Sequence, residues 1–180
     1  MREIRIEGEV AYVPLTLGYV AVIDAADVPL VQGWSWHAKI RGCGENVKGV
    51  YALRNEPRGS ARHMAYMHRV IAGTPEGMDT DHIDGDGLNN RRSNLRTATR
   101  SQNMRNRPKQ ENNKSGFKGV CWSKRDNKWR AYIQVGRKSI HLGYFDAIED
   151  AASAYAKGST QIHGAFGQTT TIRAAAEAQP

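Results

Sequence analysis

The stretch from Asp81 to Asn103 constrains the fold more than any other part of this chain. Thr80-Asp81-His82-Ile83 suits a short strand, after which Asp84-Gly85-Asp86-Gly87 and Asn89-Asn90 force a tight loop. Asn94-Leu95-Arg96-Thr97-Ala98 then returns as a second strand. Thr99 and Gln102 form a capping box, opening a helix that Pro108 stops. The spacing predicts strand, loop, strand, helix, with His82 and Asn103 on elements that can pack together. A carboxylate beside an imidazole can hold a divalent ion and take a proton from water. The arginines around them, Arg91, Arg96, Arg100 and Arg107, suit a polyanion.

Charge sharpens that reading. The chain of 180 residues carries a net charge of +8, but its placement matters more than its size. Between Leu88 and Arg130 stand 13 Lys/Arg against two acids, Glu111 and Asp126, leaving −3 for the rest. Such a block is ordinarily a solvated face or a tether. Here it overlaps the loop motif, which favours nucleic acid as partner. Only Cys43 and Cys121 are cysteines, far apart and not at zinc spacing, so neither a structural zinc site nor a disulfide framework is implied. No apolar run approaches membrane-spanning length, and Met-Arg-Glu-Ile-Arg carries no signal-peptide core. These features predict a reducing cytoplasm, that of a bacterium or a phage-infected host.

Before the motif, Tyr12–Thr16 and Tyr19–Ile23 read as strands of a hairpin across Leu17-Gly18. Ala25–Gln32 reads as a helical turn, Trp34 to Ile40 and Val50–Arg54 as strands, and Gly42–Gly49 as a loop. Tyr66–Ala72 reads as a helix ending at Gly73. His37, His63 and His163 are isolated and carry no assigned chemistry. Asp84–Asn89 superficially suggests a calcium loop, but the twelfth position is Leu95 where glutamate is needed.

Asp81-His82, Asn94 in Asn-Leu and Asn103 in Gln-Asn, with His68 in Met-His-Arg upstream, resemble the HNH endonuclease family. The nearest variety is the phage and intron-associated homing type with asparagine as its last motif residue. The resemblance covers about residues 60–107. It implies a ββα-metal core in which Asp81 and Asn103 hold one Mg²⁺ or Mn²⁺ through oxygen. It also implies His82 as general base and Asn94 as a brace for the His82 loop.

Farther on, Ser115–Val120, Lys128–Ile133, His141–Phe145 and Ala147–Ala152 are similar to the AP2 DNA-binding domain over about residues 113–167. Alternation supports a three-stranded sheet, Phe117–Trp122, Trp129–Val135 and Ser139–Phe145, with a helix from Asp146 to Lys157 capped by Gly158. Trp129, Ala131, Ile133 and Val135 are expected to face the helix. Lys118, Ser123, Arg130, Tyr132, Gln134, Ser139 and His141 are expected on the outer, DNA-facing side, and Lys124, Arg125, Arg137 and Lys138 at phosphate-contacting turns. Cys121 and Ser139 stand where that family often has arginine.

The expected fold class is α+β: short N-terminal strands, a ββα-metal core, then a three-stranded antiparallel sheet plus one helix. The expected domains are 1–107 for the nuclease, 108–116 for a polar linker, 117–167 for the AP2-like module and 168–180 for a tail. The resemblance implies a metal-dependent endonuclease acting on double-stranded DNA, as monomer or homodimer. The alternatives are a non-cutting DNA-binding regulator with an inactive nuclease half and, more distantly, a structure-specific or RNA nuclease.

Overall fold

The computed structural model describes residues 2–43, 46–57, 64–106, 113–136 and 138–167, without the side chains at 43 and 46. Arg107, Pro108, Arg137, His63 and the 168–180 tail lie outside the described residues. The chain divides into two compact units, residues 1–100 and 101–180.

In the first unit, β1 (Arg5–Glu7), β2 (Val10–Pro14) and β3 (Val20–Asp24) form an antiparallel sheet in that order. Alternation buries Ala11 and Val13 on β2 and Ala21 and Ile23 on β3, as a half-buried sheet requires. The β2–β3 turn passes through Leu17 at φ 61°, so the expected hairpin forms with a side chain in left-handed backbone. The helical turn expected over Ala25–Gln32 splits into a 3₁₀ turn, Ala25–Asp27, and α1 (Val28–Val31). The Trp36 indole donates to the Val31 carbonyl at 2.9 Å, which lets that large ring be buried with its polar atom satisfied.

A second antiparallel sheet orders β4 (His37–Cys43), β5 (Asn46–Asn55) and β6 (Met64–Tyr66). Within the Gly42–Gly49 stretch expected as a loop, the strands pair as far as Cys43 opposite Asn46, with an irregularity between Arg41 and Gly42; residues 44 and 45 lie outside the described residues. Next, α2 (Met67–Ala72) sends Met67 and Ile71 into a core with Val13, Leu15, Ile23, Val31, Trp36 and Ala52. That buried apolar surface is the main stabilising term, worth about 25 cal/mol per Å² removed from water.

The motif region follows as β7 (Asp79–His82) and β8 (Leu95–Ala98), paired antiparallel with Asp81 opposite Arg96 and His82 opposite Leu95. Their connecting loop is laid on the edge of β3. The Val22 N–H donates to the Leu88 carbonyl at 2.8 Å, and the Asn90 N–H donates to the Val22 carbonyl at 2.7 Å. Asp24 accepts from the Arg91 Nε and the Arg92 N–H, both at 2.8 Å. Buried Asp27 holds the Arg92 guanidinium at 2.7 Å.

The second unit contains most of α3 (Arg100–Arg105), the sheet β9 (Val120–Ser123), β10 (Lys128–Val135) and β11 (Lys138–Phe145), and α4 (Ile148–His163). The sheet order is β11-β10-β9, all antiparallel, with α4 packed on one face. Ala131, Ile133 and Val120 meet Ala151, Ala152 and Tyr155 there, and Trp129 is partly buried against the same cluster. Val135 is half-buried. A bulge pairs Ala131 with Gly143 but Tyr132 with His141, so Leu142 is the extra residue and turns inward. The helix does not stop at Gly158. It continues to His163, and Gly158 is buried inside it, with space for a Cβ limited by Leu142 at 3.0 Å. A glycine that looks like a cap is here a point of close approach between helix and sheet.

Gly87 has a similar role in the motif loop, since a Cβ there would collide with the Val50 carbonyl oxygen and the Tyr51 ring. Backbone cannot yield as a flexible side chain does. Gly87→Ala should therefore lower stability by about 2–4 kcal/mol, read as a lower urea midpoint at unchanged m-value.

Candidate active site

Asp81 and His82 stand next to each other on β7, so their side chains leave opposite faces of the strand. Both are buried, at 5% and 6% exposure. Asp81 meets its cross-strand neighbour: the Arg96 Nε donates to Asp81 Oδ2 at 2.8 Å, and Nη2 lies 2.6 Å from the same oxygen. The guanidinium supplies the opposite charge that a buried carboxylate needs.

On the other face, His82 Nε2 lies 3.2 Å from Asn90 Oδ1. Asn90 is fully buried, and its Nδ2 donates to the Leu88 carbonyl at 3.1 Å. Around the ring stand His68 of α2 at 5.0 Å between centroids, edge-on, and Tyr51 of β5 at 6.0 Å. Tyr66 stacks on His68 at 5.2 Å. Burial pushes His82 below the ordinary imidazole range, against the smaller opposing pulls of Asn90 and the carboxylates of Asp84, Asp81 and Asp86. Burial likewise pushes His68 down to about 3, with His82 and Arg69 acting in the same direction. Both rings are therefore neutral at working pH, and a neutral imidazole can accept a proton.

The loop itself is held by carboxamides and carboxylates. Asn94 Nδ2 donates to Asp84 Oδ1 at 2.9 Å and to the Asn89 carbonyl at 2.8 Å, while its Oδ1 accepts the Asp84 N–H at 3.0 Å. Asp84 also accepts the Asp86 N–H and the Asn89 amide, at 2.8 and 2.7 Å. Burial raises the Asp84 carboxyl, but these bonds outweigh it and hold it below the usual range.

The geometry thus gathers Asp81, His82 and Asn94 around one loop, and adds Asn90, His68, Tyr51 and Tyr66. Asn103 lies on α3 in the second unit, half-buried. Sequence reasoning assigned Asn90 only to the turn. Asn-Asn is a turn signal in its own right, and nothing local reveals that one amide reaches an imidazole.

The residues expected to face a polyanion divide sharply. Arg91 is ion-paired to Asp24 and Arg96 to Asp81, so both cations have partners inside the first unit. Arg100 is largely exposed, 3.9 Å from Asp79. In the second unit, Lys118 is not on the outer face: its Nζ donates to the Arg105 carbonyl at 2.6 Å, and burial lowers its amine to about 8. Ser123 donates to Asp126 at 2.7 Å, and Arg125 bridges to the same carboxylate while staying exposed. Arg130 lies over the Tyr132 ring at 5.0 Å. Lys124, Gln134, Lys138 and His141 are exposed.

Residues 65–105, from β6 through α3, match the family model described as HNH endonuclease. The site on β7, β8 and their loop is thus part of an HNH endonuclease domain. The chain belongs to the family of Protein 3.8 of Escherichia phage T7, to which it is 33% identical over 105 residues, 58% of this chain and 86% of that protein. No solved structure matches the chain. Among the described residues, no helix is long and apolar enough to cross a membrane.

The buried imidazoles make stability depend on pH. The unfolded chain binds a proton at His68 as pH falls through 6.5, whereas the folded chain does so only near 3. Stability is therefore present above 6.5 and lost below it, and the depressed His82 acts in the same direction. Each such proton contributes up to about 1.4 kcal/mol per pH unit. His68→Phe should make the fall in thermal midpoint between neutral and acid pH shallower. An unaltered pH slope would show that His68 is not held neutral.

Proposed function

We propose that the chain is a metal-dependent DNA endonuclease in which the first unit cuts and the second adds affinity for the duplex. The observation that carries this is His82: buried, neutral and hydrogen-bonded at Nε2, beside a buried carboxylate, within the segment that matches the HNH endonuclease family. His82 takes a proton from water, and burial keeps its lone pair available near neutral pH. Asn94 keeps the loop beyond β7 in shape, which holds His82 where the strand aims it.

HNH nucleases generally use divalent ions, and the donor chemistry here fits a hard one. Among the described residues, no three His, Cys, Asp or Glu gather into a group that could hold a metal ion, so protein ligands alone do not close a site. Asp81 offers a carboxylate and Asn103 a carboxamide oxygen. One or two such oxygens, with water and substrate phosphate, are what Mg²⁺ or Mn²⁺ takes from a protein. When bound, that ion supplies Lewis-acid charge to the phosphoryl oxygen and the leaving 3′ oxygen. The assignment of Asn103 rests on the spacing of the motif.

The second unit supports the DNA-binding half of the reading. Its sheet is covered by α4 on one face; on β10, Arg130, Tyr132 and Gln134 alternate with buried Ala131 and Ile133, and His141 is exposed on β11. An AP2-like mode, with the sheet in the major groove, and a homing-type role are the finer proposals consistent with this layout. The host cytoplasm during phage infection is the proposed setting, given the relative from phage T7.

One observation favours the alternative of a non-cutting DNA-binding protein. Arg96 already occupies Asp81 Oδ2, the carboxylate expected to bind metal. Supercoiled plasmid incubated with Mg²⁺, with and without EDTA, separates the two readings. The endonuclease gives nicked or linear DNA only without chelator, and His82→Ala loses at least about 100-fold in rate at unchanged DNA affinity. Full nicking by His82→Ala would sink the assignment, and binding without any cutting by the wild type would establish the alternative.

For the second unit, the Lys124→Ala/Lys138→Ala double variant should lower the slope of log affinity against log salt by up to about 0.9 per lost phosphate contact. An unchanged slope would remove these lysines from the interface.

A further inference from the structure

We propose that Asn90 is the positioning residue that fixes the tautomer of His82, leaving Nδ1 as the nitrogen that accepts the proton from water. The proposal rests on His82 being the base of an endonuclease and deepens that reading.

The geometry points to it in three steps. The Asn90 amide has a defined orientation, because its Nδ2 donates to the Leu88 carbonyl at 3.1 Å and so turns Oδ1 toward the ring. An amide oxygen only accepts, so His82 Nε2 must be the donor across the 3.2 Å contact. A neutral imidazole carries one ring proton, and with that proton on Nε2 the lone pair is on Nδ1. The ring is also hemmed in by His68 at 5.0 Å and Tyr51 at 6.0 Å, which resist its turning over.

Asn90 is itself firmly placed. It is 0% exposed, and its N–H is bound to the Val22 carbonyl at 2.7 Å. A buried carboxamide is costly unless both its ends are bonded, and here one end is bonded to main chain and the other to the imidazole. Asn94, by contrast, directs its amide to the loop: Asp84 and the Asn89 carbonyl. The two asparagines therefore have separable tasks, one holding the loop and the other holding the ring.

The test is nitrogen NMR of the full chain with ¹⁵N-labelled histidine, no metal added, at about pH 8, well above the ordinary imidazole value. The His82 signals are assigned by their loss in His82→Ala. Wild-type His82 should be a single Nε2–H tautomer. In Asn90→Ala the tautomers should mix, and kcat on plasmid should fall about 10- to 100-fold with KM unchanged. Asn90→Asp keeps an accepting oxygen at the same place, so it should restore the Nε2–H form and recover part of kcat.

An Nδ1–H tautomer in the wild type would overturn the proposal, as would an Asn90→Ala protein with wild-type tautomer and rate. Should Asn90→Ala fail to fold, the wild-type tautomer and the Asn90→Asp rescue still decide the question. Should the wild type cut no DNA, the endonuclease reading falls alone, since the NMR comparison still reports whether Asn90 sets the ring.

Discussion

The site depends on one long-range backbone contact, the pairing of the β3 edge with the loop from Leu88 to Asn90. That loop is built from glycine, aspartate and asparagine, residues that favour turns but hold no particular turn by themselves. Val22 contributes an N–H to Leu88 and a carbonyl to Asn90, converting a flexible connection into an extension of the sheet. Asp24, two residues on, anchors Arg91 and Arg92. Burial raises the Asp24 carboxyl, yet the hydrogen bonds and charges of the two arginines outweigh this and hold it ionised. Because Leu88 and Asn90 are fixed, the Asn90 amide is fixed, and with it the edge of the His82 ring. The N-terminal strands are therefore part of the site even though they carry none of its chemistry.

Two different devices make burial tolerable on the two faces of β7. Asp81 meets the Arg96 guanidinium, placed directly across the ladder. Removing either partner of such a pair leaves an uncompensated buried charge, at about 3–5 kcal/mol. His82 is instead kept uncharged, in a setting of rings and one amide oxygen. A pocket of rings thus stands on one face and an ion pair on the other, and burial keeps the imidazole neutral. His68 extends the apolar side. Among the described residues its Nδ1 has no hydrogen-bond partner, so protonating it would place an unpaired charge in the interior.

Local patterns made much of this legible. Strand, loop and strand could be read at 80–98 because glycine, aspartate and asparagine separate two short strand-like segments, and the hairpin over 12–23 because Leu17-Gly18 separates two others. The three strands and the helix of the second unit followed from alternation at Ala131 and Ile133. Three things were hidden, each for a physical reason. Gly42 to Gly49 resembles a loop, yet β4 and β5 pair within it up to Cys43 and Asn46, where glycine tolerates the irregularity at Arg41 and Gly42. Gly158 resembles a helix end, but a small residue was needed where Leu142 presses on α4. The role of Asn90 depends on His82 eight residues away and on Val22 far back in the chain, and no window of sequence contains both.

The same blindness affects the reading of charge. A run of arginines suggests a surface for polyanions only if each guanidinium reaches solvent. Arg91 and Arg92 are answered by Asp24 and Asp27, more than sixty residues earlier, and Arg96 by Asp81 across the ladder. These acids come from outside the basic block, which is why a local charge count overstates the field at the motif loop. Among the described residues farther along, Lys124 in the turn after β9 and Lys138 on β11 are exposed. Arg91, Arg92 and Arg96 of the first unit pair with its own carboxylates, whereas Lys124 and Lys138 of the second unit stand in solvent. An imidazole held neutral by burial and lysines held in solvent thus stand on different units of one basic chain.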